Sequence, residues 1–305
     1  MSLLAVERRA LETFRSGKDP FDLEPQADTT SAWILFALGA LLEAGRGTRG
    51  LRLESLRNQT HIKEDTTPVT VHERQIESRI RMALKHSMPE VAFLGEEGGG
   101  TLPAHGTAVA LDPVDGTWAF LNRTSTFATS LAVFQDAVPY IGAVMNPATG
   151  EIGYAVQQQR TRLIQLDLLG ERDVASDLPL DRAGGNTVLV NVHPCRDVQP
   201  LVSRLIEAWS ADAIHLVRME GGSPANALLE SAKGTFIYVN LWRKTPAEPF
   251  DLASGVLLVE SAGGQVLDLS GNAIDANAHS GVFVAGVDRA ACEQVLEIAR
   301  MTPDH

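Results

Sequence analysis

Residues 108–117 read Ala-Val-Ala-Leu-Asp-Pro-Val-Asp-Gly-Thr. The first four are apolar, the pattern of a short buried strand. Asp112 ends that strand. Pro113 fixes its own φ and has no N–H to donate, and Asp115-Gly116-Thr117 opens a turn or a helix start. Asp112 and Asp115 then converge on one hard cation, with the Val114 carbonyl as a third oxygen, a donor set that suits Mg²⁺. Backbone N–H groups after Asp115 are unpaired at a helix start and favour phosphate oxygens. Gly116 lets a ligand come close to the backbone. Cation and anion sites side by side are what metal-assisted phosphoryl transfer requires. Taken alone, the hexapeptide is as well explained by an Asp-Pro turn with a helix cap.

Two more acidic motifs share the chain, and each sits at the end of an apolar element. Gly95-Glu96-Glu97 follows a short strand from Val91 to Leu94. Phe250-Asp251-Leu252-Ala253-Ser254-Gly255 opens a helix from Asp251 to Ala262, with Leu252, Val256 and Val259 on one face and Gly263-Gly264 at its end. Upstream, Ile34, Leu38, Leu41 and Leu42 recur at helical spacing, and Gly45 and Gly47 read as stop signals. Ile76, Ile80 and Leu84 mark a second helix before Pro89. Phe127–Phe134, Tyr140–Met145 and Ile152–Val156 read as successive strands of an antiparallel sheet, with the breaker Asn146-Pro147-Ala148-Thr149-Gly150 between the last two.

The polar stretch Gly170–Asn186 is the best candidate boundary. It separates an N-terminal α+β half, residues 1–175, which carries most of the metal motifs, from a C-terminal α/β half, residues 176–305. In the second half, strands at Val188–Val192, Ile214–Val217, Phe236–Val239 and Val282–Ala285 alternate with helices at Leu201–Trp209 and Ala225–Ala232 and around Val295 and Ile298. The class is therefore mixed α and β.

With 305 residues, 44% apolar and 21% charged, the composition is that of an ordinary soluble protein. The formal net charge of −12 disfavours nucleic acid, whose phosphates need Lys and Arg. It also repels small anions, so an anionic substrate needs a local positive charge such as bound cations. Cys195 and Cys292 form no CxxC pair. The start, Met1 to Phe14, lacks the apolar core of a signal peptide, and the apolar run Ala32–Leu42 is too short to span a bilayer. A cytoplasmic protein without membrane partners is expected.

GEE, then DPVDGT, then FDLASG followed by VESAGG, in this order, resembles the inositol monophosphatase superfamily, from about Lys63 to Gly264. That superfamily includes bisphosphate nucleotidases, histidinol-phosphate phosphatases and some fructose-1,6-bisphosphatases. The resemblance implies a layered αβαβα sandwich with the site in a cleft between the halves, a homodimer, and lithium inhibition. It implies that Glu96, Asp112, the Val114 carbonyl, Asp115 and Asp251 bind two or three Mg²⁺ ions, with Mn²⁺ as a possible substitute. Gly116 and Thr117 would hold the phosphate. Thr117 would orient the attacking water, backed by an upstream acid. In the family the segment like Pro68-Val69-Thr70-Val71-His72-Glu73 ends in Asp; here Glu73 stands there, its stem one methylene longer. Lys63-Glu64-Asp65-Thr66-Thr67-Pro68 resembles the family's mobile metal-binding loop.

Substrate choice should reside in the second half. Where inositol phosphatases carry a Glu against substrate hydroxyls, this chain has Asn240, and Phe236 replaces an internal Asp. The long link that follows carries Arg243 and Lys244, a paired cation suited to a second phosphate. The expected function is Mg²⁺-dependent hydrolysis of a small phosphorylated metabolite. A bisphosphate phosphatase, of the bisphosphate nucleotidase or fructose-1,6-bisphosphatase type, is the alternative. A metal-binding regulatory protein without activity is the reading outside enzymes. His215 and Arg218 lie on a strand edge, Trp118 and Phe120 read as packing beside the site, and Trp33, Trp209 and Trp242 as core or interface.

Overall fold

The computed structural model describes residues 2–21, 29–48, 60–62, 68–167, 172–180, 187–191, 199–241 and 247–300. Two helices open it, α1 (Ala5–Arg15) and α2 (Thr29–Thr48). The paired strands β1 (Thr60–Ile62) and β2 (Pro68–Thr70) lead into α3 (Val71–Ser87). Then come β3 (Ala92–Gly95), β4 (Gly99–Gly100), β5 (Thr107–Asp115), the single turn α4 (Thr117–Leu121), β6 (Ala128–Gln135), β7 (Val138–Asn146), β8 (Glu151–Val156), β9 (Arg162–Gln165) and β10 (Val174–Asp177). The rest is β11 (Thr187–Asn191), α5 (Gln199–Ser210), β12 (Leu216–Glu220), α6 (Pro224–Ala232), β13 (Ile237–Asn240), α7 (Pro249–Ser261), β14 (Gln265–Asp268), β15 (Phe283–Gly286) and α8 (Arg289–Arg300).

Among the described residues the first sheet runs β10-β9-β8-β7-β6-β5-β3-β4, antiparallel except where β3 lies parallel to β5. The second runs β12-β11-β13-β15-β14, with β11 parallel to both β12 and β13. Helices α2 and α3 cover one face of the first sheet. Helices α6 and α7 lie between the sheets, and α5 and α8 cover the outer face of the second. The layers are therefore α, β, α, β, α, as expected. The stretch at the expected boundary contributes β10, which pairs with β9.

Strand alternation explains which face meets which helix layer. Val109, Leu111, Leu131 and Val133 point to α2 and α3, whereas Ala108, Ala110, Ala132 and Gly142 point the other way. The second face is small, so α7 comes close. A Cβ on Gly142 would stand 2.6 Å from the Ser254 carbonyl oxygen. Ser254 Oγ and Ser130 Oγ lie 2.7 Å apart, and Ser130 Oγ also donates to Phe250 O at 2.7 Å. These buried contacts fix the start of α7, where Asp251 sits.

Helix α2 does not stop at Gly45 and Gly47. It runs on to Thr48, and the two glycines face Met145 and Ile76, where side chains would collide. It is buried nearly all round, as befits a helix between a sheet and two other helices. Strand β5 also runs past the expected end at Asp112, as far as Asp115. Trp118, expected to pack beside the site, is instead 56% exposed, and Trp209, at 46% exposed, lies outside the core. Trp33 is buried against Phe36. Among the described residues no helix is long and apolar enough to cross a membrane.

Candidate active site

Asp112 pairs with Ser130 and Asp115 with Ala128, so three steps along β5 match two along β6. The extra residue is a β-bulge. In a regular strand residues three apart point to opposite faces; the bulge resets the alternation and brings both carboxylates to one side. Thr129 Oγ1 fills the gap by donating to Pro113 O at 2.9 Å, and Val114 N donates to Asp112 Oδ1 at 2.9 Å. After the bulge Gly116 takes φ +86°, a left-handed conformation that favours glycine. A side chain there would also strike the Ser223 backbone, so the closest neighbour of Gly116 is the second half of the chain.

Asp115 is held from that half. Its Oδ2 accepts from Ser223 Oγ and from Ala225 N at 2.8 Å, at the N-terminus of α6, where backbone N–H groups favour an anion. Ser223 is itself the cap of α6, accepting from Asn226 N at 2.8 Å, and Pro224 follows at the first helical position. Asp251 lies in the first turn of α7 and its Oδ2 accepts from Glu248 N at 2.8 Å. Glu96 sits in the turn between β3 and β4, its N–H bonded to Leu111 O at 3.2 Å. Its charge helps to raise the pKa of Asp112.

Asp112, Asp115 and Asp251 are 2%, 6% and 9% exposed. Burial raises the pKa of all three. Repulsion from Glu96 adds to the rise at all three, from Asp115 at Asp112 and Asp251, and from Asp251 at Asp112. Four carboxylates from three motifs thus feel one another inside the protein. Among the described residues they do not close as a finished metal cage; Asp112, Asp115 and Asp251 each turn one oxygen to protein donors. The cluster nevertheless fits a hard divalent cation: its donors are all oxygen, and its mutual repulsion is relieved by positive charge.

Thr117 stands beside the cluster, donating through Oγ1 to Glu73 Oε1 at 2.8 Å and sharing that proton with Val114 O at 3.2 Å. Glu73 Oε2 accepts from Thr70 N, and Thr70 Oγ1 in turn accepts from Glu73 N, the reciprocal cap of α3. The longer stem of Glu73 therefore reaches Thr117 while closing a helix cap. Burial pushes its pKa up to about 7, against the bonds from Thr70 and Thr117.

Asn240 is buried at the end of β13 and accepts from Tyr238 Oη at 3.2 Å; Tyr238 Oη accepts from Asn191 Nδ2 at 3.2 Å. Tyr238 feels the Asp115 charge, so this polar chain adjoins the acidic cluster. Arg218 lies 3.1 Å from Glu220 and over the Phe236 ring, engaged on its own side of the sheet. Arg243, Lys244 and Trp242, like residues 63–67, lie outside the described residues.

A family model described as the inositol monophosphatase family matches residues 33–301. The chain belongs to that family. Inositol monophosphatase family members are phosphatases, hydrolases of phosphate monoesters. A histidinol-phosphatase of Mycobacterium tuberculosis is 36% identical over 115 residues, which span 38% of this chain and 44% of that protein. A fructose-1,6-bisphosphatase/inositol-1-monophosphatase of Thermotoga maritima is 26% identical over 234 residues, 76% of this chain and 82% of that protein. The solved structure of the extragenic suppressor protein suhB from Bartonella henselae superposes with a TM-score of 0.69 at 20% identity, over 89% of this chain and 100% of that one, which shows the shared fold.

Two residues around this candidate site are not fully picked out by the sequence. Ser223 was legible in outline, since Ser-Pro before an apolar run signals a capped helix start, but nothing in the run says that its hydroxyl also meets Asp115. Glu77, one helical turn past Glu73, is 2% exposed and accepts from the turn that carries Glu96.

Proposed function

We propose that this chain is a Mg²⁺-dependent phosphomonoesterase acting on a small phosphorylated metabolite. The observation that supports the reading is the mutual repulsion among Glu96, Asp112, Asp115 and Asp251, together with the Thr117–Glu73 hydrogen bond. The four carboxylates, with the Val114 carbonyl, would hold the metal. When bound, Mg²⁺ neutralises phosphate charge and makes water a stronger nucleophile.

The protein groups supply orientation and proton handling. Thr117 Oγ1 gives its proton to Glu73 Oε1, so its lone pairs are left to accept a hydrogen bond from the attacking water. Glu73, with a pKa of about 7, is matched to receive a proton near neutrality. The backbone at Gly116 and Thr117 holds the phosphate opposite that water. Asn240 offers an amide to the leaving group in place of a carboxylate. Arg243 and Lys244 would meet a second phosphate if the substrate carries one.

A second substrate reading is an amino-alcohol phosphate of the histidinol phosphate kind. The name and 36% identity of the Mycobacterium tuberculosis relative support it. Phosphate release with Mg²⁺ from inositol monophosphate, fructose-1,6-bisphosphate, 3′-phosphoadenosine 5′-phosphate and histidinol phosphate ranks these substrates by kcat/KM. A monophosphate ranked first supports the main reading. Preference for a bisphosphate that is lost in Arg243→Ala would shift it to the bisphosphatase class. Phosphate release from none of the four would refute the proposed substrate set.

A further inference from the structure

Glu73 and Glu77 are one turn apart on α3 and so share a face. Glu73 addresses Thr117. Glu77 addresses the neighbouring motif, and in unusual detail. Its Oε2 accepts from Glu97 N and its Oε1 from Gly98 N, each at 2.8 Å. Arg81, a further turn along, donates to Oε1 at 2.6 Å and to Gly99 O at 2.9 Å. The Arg81 guanidinium lies over the Phe93 ring, 4.4 Å from its centroid. The space that a Gly95 side chain would take is filled by the Glu77 carboxylate, and a Cβ at Gly98 would stand 2.6 Å from it. Glu97 also faces Arg74 of the same helix at 3.8 Å.

The residues on both sides of Glu96 are therefore gripped by α3, and Glu96 N is tied to β5. The turn is thus held on both sides of the Glu96 side chain, whose charge is felt by Asp112. We infer that Glu77 is a positioning residue that fixes the Glu96 carboxylate for cation binding. This rests on the metal reading above. One helix thereby sets two separate parts of the site, and they stay in register because both anchors ride on the same helical face.

A carboxylate is needed for this grip because it presents two acceptor oxygens to two N–H groups. A glutamine has one, and its amide nitrogen would face an N–H donor. The test uses Mn²⁺ as the probe, with binding read from the electron paramagnetic resonance of the free ion. Wild type, Glu77→Gln and Gly95→Ala are compared, and metal-free melting curves identify the folded variants. Partners behind a metal ligand typically change affinity by about 10–100-fold, so Mn²⁺ should bind at least about tenfold more weakly to Glu77→Gln. Gly95→Ala, which displaces the same carboxylate from the other side, should weaken it in the same direction. A purely structural role would lower the melting temperature and leave Mn²⁺ affinity alone. Mn²⁺ affinity within threefold of wild type in either folded variant overturns the inference. Failure of wild type itself to bind Mn²⁺ would instead overturn the metal reading, and Glu77's role with it.

Discussion

Thr117 Oγ1 donates to Glu73 Oε1 at 2.8 Å, and the other oxygen of the same carboxylate caps α3. The hydroxyl therefore has one defined proton partner and lone pairs turned elsewhere. Thr117→Ala should lower kcat by about 10²–10⁴-fold, the usual worth of positioned proton-transfer groups. Its Mg²⁺ requirement should stay near that of wild type, because Thr117 is outside the acidic cluster. Thr117→Ser should keep most of the activity. Steady-state phosphate release at saturating Mg²⁺ checks this; equal kcat for Ala and wild type would remove Thr117 from the reaction.

Ser223 caps α6 and donates to Asp115, so a single hydroxyl serves the fold and the site. Ser223→Ala should cost about 1 kcal/mol for the cap and about 1–3 kcal/mol for the bond to the carboxylate. Urea unfolding measures the sum of these, and Mg²⁺ titration of activity shows whether Asp115 stays in place. Loss of stability with an unchanged Mg²⁺ requirement would show that Asp115 is held well enough by Ala225 N alone.

The closeness of α7 to the first sheet depends on Gly142. A Cβ there meets backbone, the Ser254 oxygen at 2.6 Å, which cannot swing aside. Gly142→Ala should destabilise by about 1–3 kcal/mol. It should also raise the Mg²⁺ concentration for half-maximal activity, since α7 carries Asp251. Thermal melting with and without Mg²⁺ distinguishes the two effects.

His279 predicts the acid limb of stability. Its Nε2 is buried and has no hydrogen-bond partner among the described residues, and its ring packs edge-on against Phe283. Burial lowers its pKa below 6.5, although Asp268 and Asp275 pull the other way. Below that pH the unfolded chain binds a proton that the folded one resists, so stability rises with pH there. The contribution is full above 6.5 and is lost as pH falls towards the depressed folded value. Unfolding free energy between about pH 5 and 8 should fall less steeply on the acid side in His279→Gln. Parallel curves would mean that other groups set the acid limb.

Much of this was legible before any coordinates. The strands on either side of DPVDGT, the helices around Ile80 and Val256 and the α/β alternation of the second half all follow from apolar periodicity, which burial imposes directly. The strands β9, β10 and β14 and helix α1 were not read. They are short or flanking, and α1 is held largely through Glu7, whose carboxylate binds Arg162 and Tyr154 far along the chain. Such pairings leave no periodic trace. The same holds inside the site. The bulge at Asp112–Asp115 depends on the register of β6, and the grip of Glu77 on the turn after β3 depends on how a helix rests on a strand end. The opposite error arose at Gly45 and Gly47: glycine reads as a stop, yet here it admits Met145 and Ile76 against a continuing helix. Trp118 shows that an aromatic beside a motif need not pack; it stands in solvent.

The central claim is that the four carboxylates hold a metal that the reaction needs, and Asp112 is the deepest of them in mutual repulsion. The most direct measurement is phosphate release by wild type and Asp112→Asn on the best substrate of the panel, with Mg²⁺, after EDTA, and after Mg²⁺ is restored. Wild type should turn over with Mg²⁺, stop in EDTA and recover. Asp112→Asn, folded by its melting curve, should be slower by about 10³-fold or more, a loss of at least about 4 kcal/mol in transition-state stabilisation. Full activity of wild type in EDTA, or of Asp112→Asn with Mg²⁺, would contradict the account.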